Sequence, residues 1–162
     1  MRLRRAEDAV ARLVLADSNG GCARLSNGPL TSMELPDLIA FRRFHQAWSS
    51  GHLRVALELL HPEVVARPLH GAMYTRPEYV GREGVAAWYR EMTGPWDRFE
   101  ALVEEARTTP EGNVQAILRL VGYRGDEALD ARVGVDCRLR AGRIVSLVGR
   151  NVGDVEKELR EA

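Results

Sequence analysis

The chain has 162 residues, 45% of them apolar and 28% charged, the profile of one soluble globular domain with room for a short appendage. Lys plus Arg and Asp plus Glu each number 23, so the formal net charge is zero. That balance argues against a binder of nucleic-acid backbones and against an acidic solvating tail. Of the 23 basic residues, 22 are Arg and only Lys157 is Lys. GC-rich coding is the simplest account, although Arg also never gives up its charge.

A domain of this size buries roughly 70% of its unfolded surface and needs neither disulfides nor metal to fold. Cys22 and Cys137 give no metal spacing and no disulfide framework, and read as idle thiols in a reducing cytoplasm. No apolar run approaches the ~20 residues that span a bilayer. Met1-Arg2-Leu3-Arg4-Arg5 starts like a signal peptide, but Glu7, Asp8 and Arg12 interrupt its apolar stretch, so the chain reads as soluble and unprocessed.

Residues 1–16 have helical spacing, with Leu3, Ala6, Val10, Leu13 and Val14 on one face. The stretch to Ser32 is rich in Gly, Ser and Asn and reads as a linker. Residues 1–32 form an N-terminal extension, either an authentic arm or an over-extended start before Met33, and residues 33–162 form the domain. Thr31 or Ser32 caps a first domain helix, with Glu34 and Asp37 in its first turn and Pro36 tolerated there. Leu35, Leu38, Ile39, Phe41, Phe44 and Trp48 give it an apolar face, and Ser49-Ser50-Gly51 ends it.

A short second helix turns Leu53, Ala56, Leu57 and Leu60 inward and stops at His61-Pro62. Val64 to Arg67 is a short strand, and Pro68 to Tyr79 is an irregular loop. Gly81-Arg82-Glu83-Gly84 opens a third helix carrying Val85, Trp88, Tyr89 and Met92, which Gly94-Pro95 stops. The period then changes to two. Phe99–Ala106, Asn113–Tyr123, Ala128–Leu139 and Ile144–Val152 read as four strands of an antiparallel meander, and Asp154 caps a last helix. Helices gathered before strands argue an α+β fold. There is no internal repeat.

Several pieces of this order carry a resemblance. Phe44-His45-Gln46-Ala47-Trp48-Ser49-Ser50-Gly51-His52-Leu53 is similar to a helix–Gly–Asp–Leu junction, with His52 in place of the usual capping Asp. Leu60-His61-Pro62-Glu63-Val64, Tyr79-Val80-Gly81-Arg82-Glu83-Gly84-Val85, Arg140-Ala141-Gly142-Arg143-Ile144 and Asp154-Val155-Glu156-Lys157-Glu158-Leu159 follow in the same sequence. Together they resemble the nuclear transport factor 2-like superfamily, in particular its SnoaL-like polyketide cyclase group, across residues 34–162. The resemblance implies a cone: a curved antiparallel sheet packed on three N-terminal helices and enclosing a pocket for small, mostly apolar molecules. It also implies a homodimer through the outer sheet face. Its members include isomerases, cyclases, dehydratases, epoxide hydrolases and non-catalytic proteins, so the fold does not fix the function.

Compared with the ketosteroid isomerases of that superfamily, Phe44 stands at the tyrosine donor, Arg67 at the general-base aspartate and Val135 at the protonated aspartate. None of the three can play the original role. Alternation places Val133, Val135, Cys137 and Leu139 inside, and turns Asp136, Arg138 and Arg140 outside. In the preceding strand, the resemblance implies that the face carrying Gln115, Ile117, Arg119, Val121 and Tyr123 looks into the pocket, as that register does in the superfamily.

Arg67 and Arg119 would then approach an apolar cavity walled by Phe44, Trp48, Tyr74, Trp88, Tyr89, Val135, Leu147 and Gly149. They would either clamp an acidic or enolisable ligand and stabilise its developing charge, or form internal salt bridges to Glu104, Glu105 or Glu83. His70, on the loop after the first strand, or Tyr89 would move the proton, unless His70 is simply exposed. His45, His52 and His61 read as lying on helix surfaces or ends and are assigned no role. There is no phosphate loop, nucleophile elbow or metal cluster, and no cofactor is implied. The expected partner is a small molecule, with no nucleic acid and no membrane. The reading is a SnoaL-like pocket protein, either a proton-transfer enzyme or a non-catalytic binding or dimerisation module.

Overall fold

In the computed structural model, residues 35–69 and 76–161 are described. The helix expected over 1–16, its linker, the Thr31 or Ser32 cap, Cys22, His70 and Tyr74 lie outside the described residues.

Helix α1 (Pro36–Ser49) has proline in its first turn, where the missing N–H is unneeded, and Asp37 beside it. Leu35 occupies the N-cap position without a side-chain bond. The C-terminus closes with two backbone bonds, from Gly51 N to Trp48 O (3.3 Å) and from His52 N to Ala47 O (2.9 Å). This Schellman pattern needs a left-handed residue, which Gly51 supplies at φ 75°. Helix α2 (Leu53–Glu58) follows, and His52 before it makes no side-chain cap.

Strand β1 (Leu60–Arg67) starts earlier than the apolar run at Val64 suggests, because Leu60 pairs with Ile144. Pro62 falls where the ladder shifts register, between Leu60 and Val65, so its missing N–H breaks no pairing. Strand β2 (Tyr79–Val80) leads into helix α3 (Gly81–Thr93). The Arg82 guanidinium donates to Leu60 O through Nε (3.0 Å) and Nη2 (2.7 Å), tying α3 to the start of β1. Then come β3 (Arg98–Thr108), β4 (Val114–Arg124), β5 (Glu127–Arg140) and β6 (Arg143–Arg150), the expected meander. Helix α4 (Val152–Glu161) ends the described chain. Its N-terminus is capped by Asn151 Oδ1, which accepts from Gly153 N at 2.9 Å; Asp154, expected as the cap, sits in the first turn instead.

The six strands form one curved, unclosed sheet in the order β2-β1-β6-β5-β4-β3. It is mixed rather than wholly antiparallel, because β1 runs parallel to β6. One extra residue on β3 (Glu104) and one on β6 (Val145) interrupt the pairing, as bulges that bend a sheet do. Helix α1 crosses the concave face. Its Ser49 Oγ donates to Ala101 O (3.0 Å) and accepts from Ala101 N (2.8 Å), pinning the helix to β3. The core lies between them, with Phe41, Phe44, Trp48, Val114, Ala116, Leu118, Val135, Cys137 and Leu147 buried.

Helix α4 covers part of the convex face. Gly134 makes room for it, since a Cβ there would lie 2.5 Å from Val155 Cγ2. On the concave face Gly149 does the same for the chain after β1, where a Cβ would lie 2.4 Å from Leu69 N. That neighbour is backbone and cannot swing aside. Gly149→Ala should therefore cost about 1–3 kcal/mol of stability. Denaturant unfolding checks this, and an unchanged midpoint would contradict the close approach.

Candidate functional site

Between the concave sheet and the helices lies a cavity. Its sheet wall comes from Ala101, Leu118, Leu120, Val133, Val135, Leu147 and Gly149, and its helix wall from Phe44, His45, Trp48, Trp88 and Met92. Arg67, Pro68 and Leu69 form the rim. The space open to the centre of a water-sized sphere is about 70 Å³. One water needs roughly 10–15 Å³ on that kind of measure, so the cavity admits a compact organic group. Among the described lining residues there is no carboxylate.

The aromatic wall is braced ring against ring. Phe44 and Trp48 have centroids 5.5 Å apart, Trp48 and Trp88 5.1 Å, and Tyr79 stacks on Trp88 at 6.0 Å. Behind Trp88, the Tyr79 hydroxyl donates to Glu91 and accepts from Arg76 N at 2.9 Å. Trp88 Nε1 is buried without a hydrogen-bond partner.

Phe44, Trp48, Trp88, Val135 and Leu147 are thus in the wall, and Arg67 is at the mouth. The Arg67 side chain is 54% exposed, and its Nε donates to Glu78 Oε2 at 2.7 Å, a partner the sequence reading did not name. Tyr89 packs edge-on against Trp48 at 4.9 Å and does not line the cavity. Its hydroxyl lies toward Gly51 instead.

Arg119 and Gln115 are corrections. Both are on the convex face, opposite to expectation. Arg119 forms a forked pair with Asp130, Nε to Oδ1 at 2.8 Å and Nη2 to Oδ2 at 2.5 Å, in an exposed position. Gln115 is buried, but under α4: its amide donates to Glu158 and to Asp136 Oδ1 (3.3 Å), and its oxygen accepts from Arg107 Nη2 (3.1 Å). The physical reason is that β4 is apolar on both faces. The superfamily's register implies an inward odd face, which Ile117 and Val121 do not oppose, whereas the even face runs through Val114, Ala116, Leu118 and Leu120 and meets a polar side chain only at Arg124, the end of the strand. The rule that turned Asp136 outward on β5 would have turned Arg119 outward too. Asp136 does face out, accepting from Arg150 Nη1 at 2.9 Å. Arg150 and Gln115 together hold the Glu158 carboxyl below its ordinary range.

Sequence reasoning missed His45. Residues 41, 44, 45 and 48 are spaced i, i+3, i+4, i+7, so His45 falls within the apolar stripe of α1. It is 6% exposed, with its ring 4.3 Å from Phe41 and 5.0 Å from Phe44. Nδ1 lies 3.1 Å from Phe41 O, a carbonyl that can only accept, so Nδ1 carries the proton and Nε2 is an acceptor. The ring borders both the cavity and a groove between α1 and β3 lined by Arg42, Gln46, Arg98 and Glu100. Burial pulls its pKa down from 6.5 to about 4, against a smaller opposing effect of the Phe41 bond. Cys137 is likewise buried, which pushes its thiol up and leaves it unreactive.

The His45 shift fixes a pH dependence. The unfolded imidazole takes a proton near pH 6.5 and the folded one only near 4, so the unfolded state binds more protons in between. Stability therefore falls as pH drops through that window, by on the order of 3 kcal/mol in all. Relative to His45→Phe, the wild-type chain should lose this much between pH 7 and pH 4 in chemical unfolding. A difference that stays flat with pH would contradict a buried neutral imidazole.

An α+β cone with an apolar internal pocket defines the class of protein. The chain belongs to the SnoaL-like domain family, whose model matches residues 41–147. A search of curated proteins finds no match. Among solved structures it is similar to Bal32a from a soil-derived mobile gene cassette, with 21% identity, TM-score 0.66, and coverage of 75% of this chain and 92% of that one. It is similar to Rv0760c from Mycobacterium tuberculosis, with 22% identity, TM-score 0.64, and coverage of 76% and 96%. That protein is also known in complex with estradiol-17beta-hemisuccinate. TerC, co-crystallized with polyporic acid, matches at 12% identity, TM-score 0.63, and coverage of 79% and 100%. At these identities the likeness is one of fold.

Proposed function

We propose that this SnoaL-like chain binds a small, uncharged, mostly apolar organic molecule in the concave cavity. The observation that carries the reading is the lining itself: an aliphatic sheet wall facing an aromatic helix wall, with no carboxylate among the described lining residues. The small-molecule complexes of Rv0760c and TerC support a ligand pocket by analogy of fold; both of those ligands are acids, so the preference for an uncharged molecule rests on the lining of this cavity alone. An acidic ligand is disfavoured, because Arg119 pairs with Asp130 on the other face and Arg67 is engaged by Glu78 at the rim. A charged group taken inside would lose its hydration without gaining a partner.

A proton-transfer enzyme is the second reading, and the imidazole in the wall favours it. An imidazole that protonates only near pH 4 is a weak base, however, so binding is the reading we put first. We also assign dimerisation to the convex face, where Leu102 and Tyr123 are exposed. Light scattering should then give twice the monomer mass, and a monomeric mass at micromolar concentration would remove that assignment.

Calorimetric titration with 2-methoxynaphthalene tests the binding reading. Leu118→Phe, which fills the cavity, should weaken binding about tenfold or more, as overpacking of a filled site does. Arg119→Leu should leave the affinity unchanged. Binding that survives Leu118→Phe and fails with Arg119→Leu would place the ligand on the convex face.

A further inference from the structure

We propose that His45 is the specificity contact of this cavity: its Nε2 accepts a hydrogen bond from a hydroxyl or N–H group on an otherwise apolar ligand. The proposal rests on the binding reading above and names the chemical class that the cavity selects, a neutral ring compound bearing a phenolic, enolic or similar donor.

Three observations converge on it. First, His45 is the one buried imidazole among the described lining residues, 94% removed from solvent on a helix whose neighbouring side chains are rings. Second, the tautomer is set by the protein. The bond from Nδ1 to Phe41 O holds the proton on Nδ1 and leaves Nε2 as the acceptor, and Phe41 and Phe44 hold the ring plane. Third, Nε2 has no hydrogen-bond partner among the described residues, and the ring it belongs to borders the cavity. An unpaired acceptor beside a wall of aliphatic and aromatic side chains, whose one unpartnered donor, Trp88 Nε1, is buried, discriminates strongly. A ligand donor there satisfies it, while an ether or a bare hydrocarbon leaves it unpaired. The neutral ring also repels a carboxylate oxygen, since two lone pairs would face each other.

The groove on the other side of the ring offers an alternative outlet for Nε2 toward water and the charges of Arg42, Arg98 and Glu100. In that geometry His45 would be blind to ligand chemistry, and the two cases separate cleanly. Titrating the full chain with 2-naphthol and with 2-methoxynaphthalene should show the naphthol bound about five- to tenfold more tightly, the worth of one added hydrogen bond. His45→Phe should bring the two ligands to equal affinity, near the methoxy value.

Nitrogen-15 spectra of the wild-type imidazole give a readout that does not depend on the variant folding. The Nε2 resonance should move toward lower frequency with 2-naphthol and stay in place with 2-methoxynaphthalene. Equal wild-type affinities, or a naphthol preference that survives in His45→Phe with a static Nε2 resonance, would overturn the role of His45 and leave the cavity reading intact. Absence of binding by both compounds to the wild-type chain would overturn the cavity reading and this proposal with it.

Discussion

A sheet that is apolar on both faces has to be covered twice, and the rest of this structure follows from that constraint. On β4, Ala116, Leu118 and Leu120 look to the concave side while Ile117 and Val121 look to the convex side. Helix α1 answers the first requirement and α4 the second. Each is fastened by polar contacts at a defined point: Ser49 to the backbone of Ala101 for α1, and Arg150, Gln115 and Arg107 to Glu158 for α4. The Ser49 hydroxyl and the Gln115 amide are paired in these fastenings, while Arg107 uses its Nη2 and leaves its buried Nε without a partner.

The two covers differ in what they leave behind. On the convex side small residues bring α4 close, with Gly134 under Val155. On the concave side the sheet curves away, and α1 and α3 project large rings across the gap. Phe44, Trp48 and Trp88 brace one another but do not fill the curve, and the residue is a cavity with aliphatic and aromatic walls. Its electrostatic character follows from the same geometry. Charged side chains on the strands turn outward, where Arg119 meets Asp130 and Arg132 meets Glu104 and Glu156. Across the cavity, helix α1 contributes the one imidazole among the described lining residues, and burial lowers its pKa.

Much of this was legible from residue order. The helix–helix–strand–helix–meander sequence, the Gly51 stop, the Ala141-Gly142 turn and the outward Asp136 all follow from period and turn chemistry. Phe44, Trp48, Trp88, Val135 and Leu147, which the resemblance and the side-chain period together put at a pocket wall, line the cavity. Two failures have physical causes. The face of β4 could not be fixed by its apolar residues, because both faces have them; only the polar members, Gln115 and Arg119, carried the answer. His45 was passed over because a polar residue on a helix was taken as a surface residue, although its spacing from Phe41 and Trp48 put it inside. The parallel pairing of β1 with β6 depends on contacts distant in sequence and has no local signature.

The central claim is that the concave face is the ligand-binding face. Methyl-resolved NMR of the full chain during titration with 2-methoxynaphthalene tests it most directly. The account predicts shifts in the methyls of Leu118, Leu120, Val133, Val135 and Leu147, with Leu102, Ile117 and Val121 unmoved. Shifts confined to the convex-face methyls, or none at saturating probe, would contradict it.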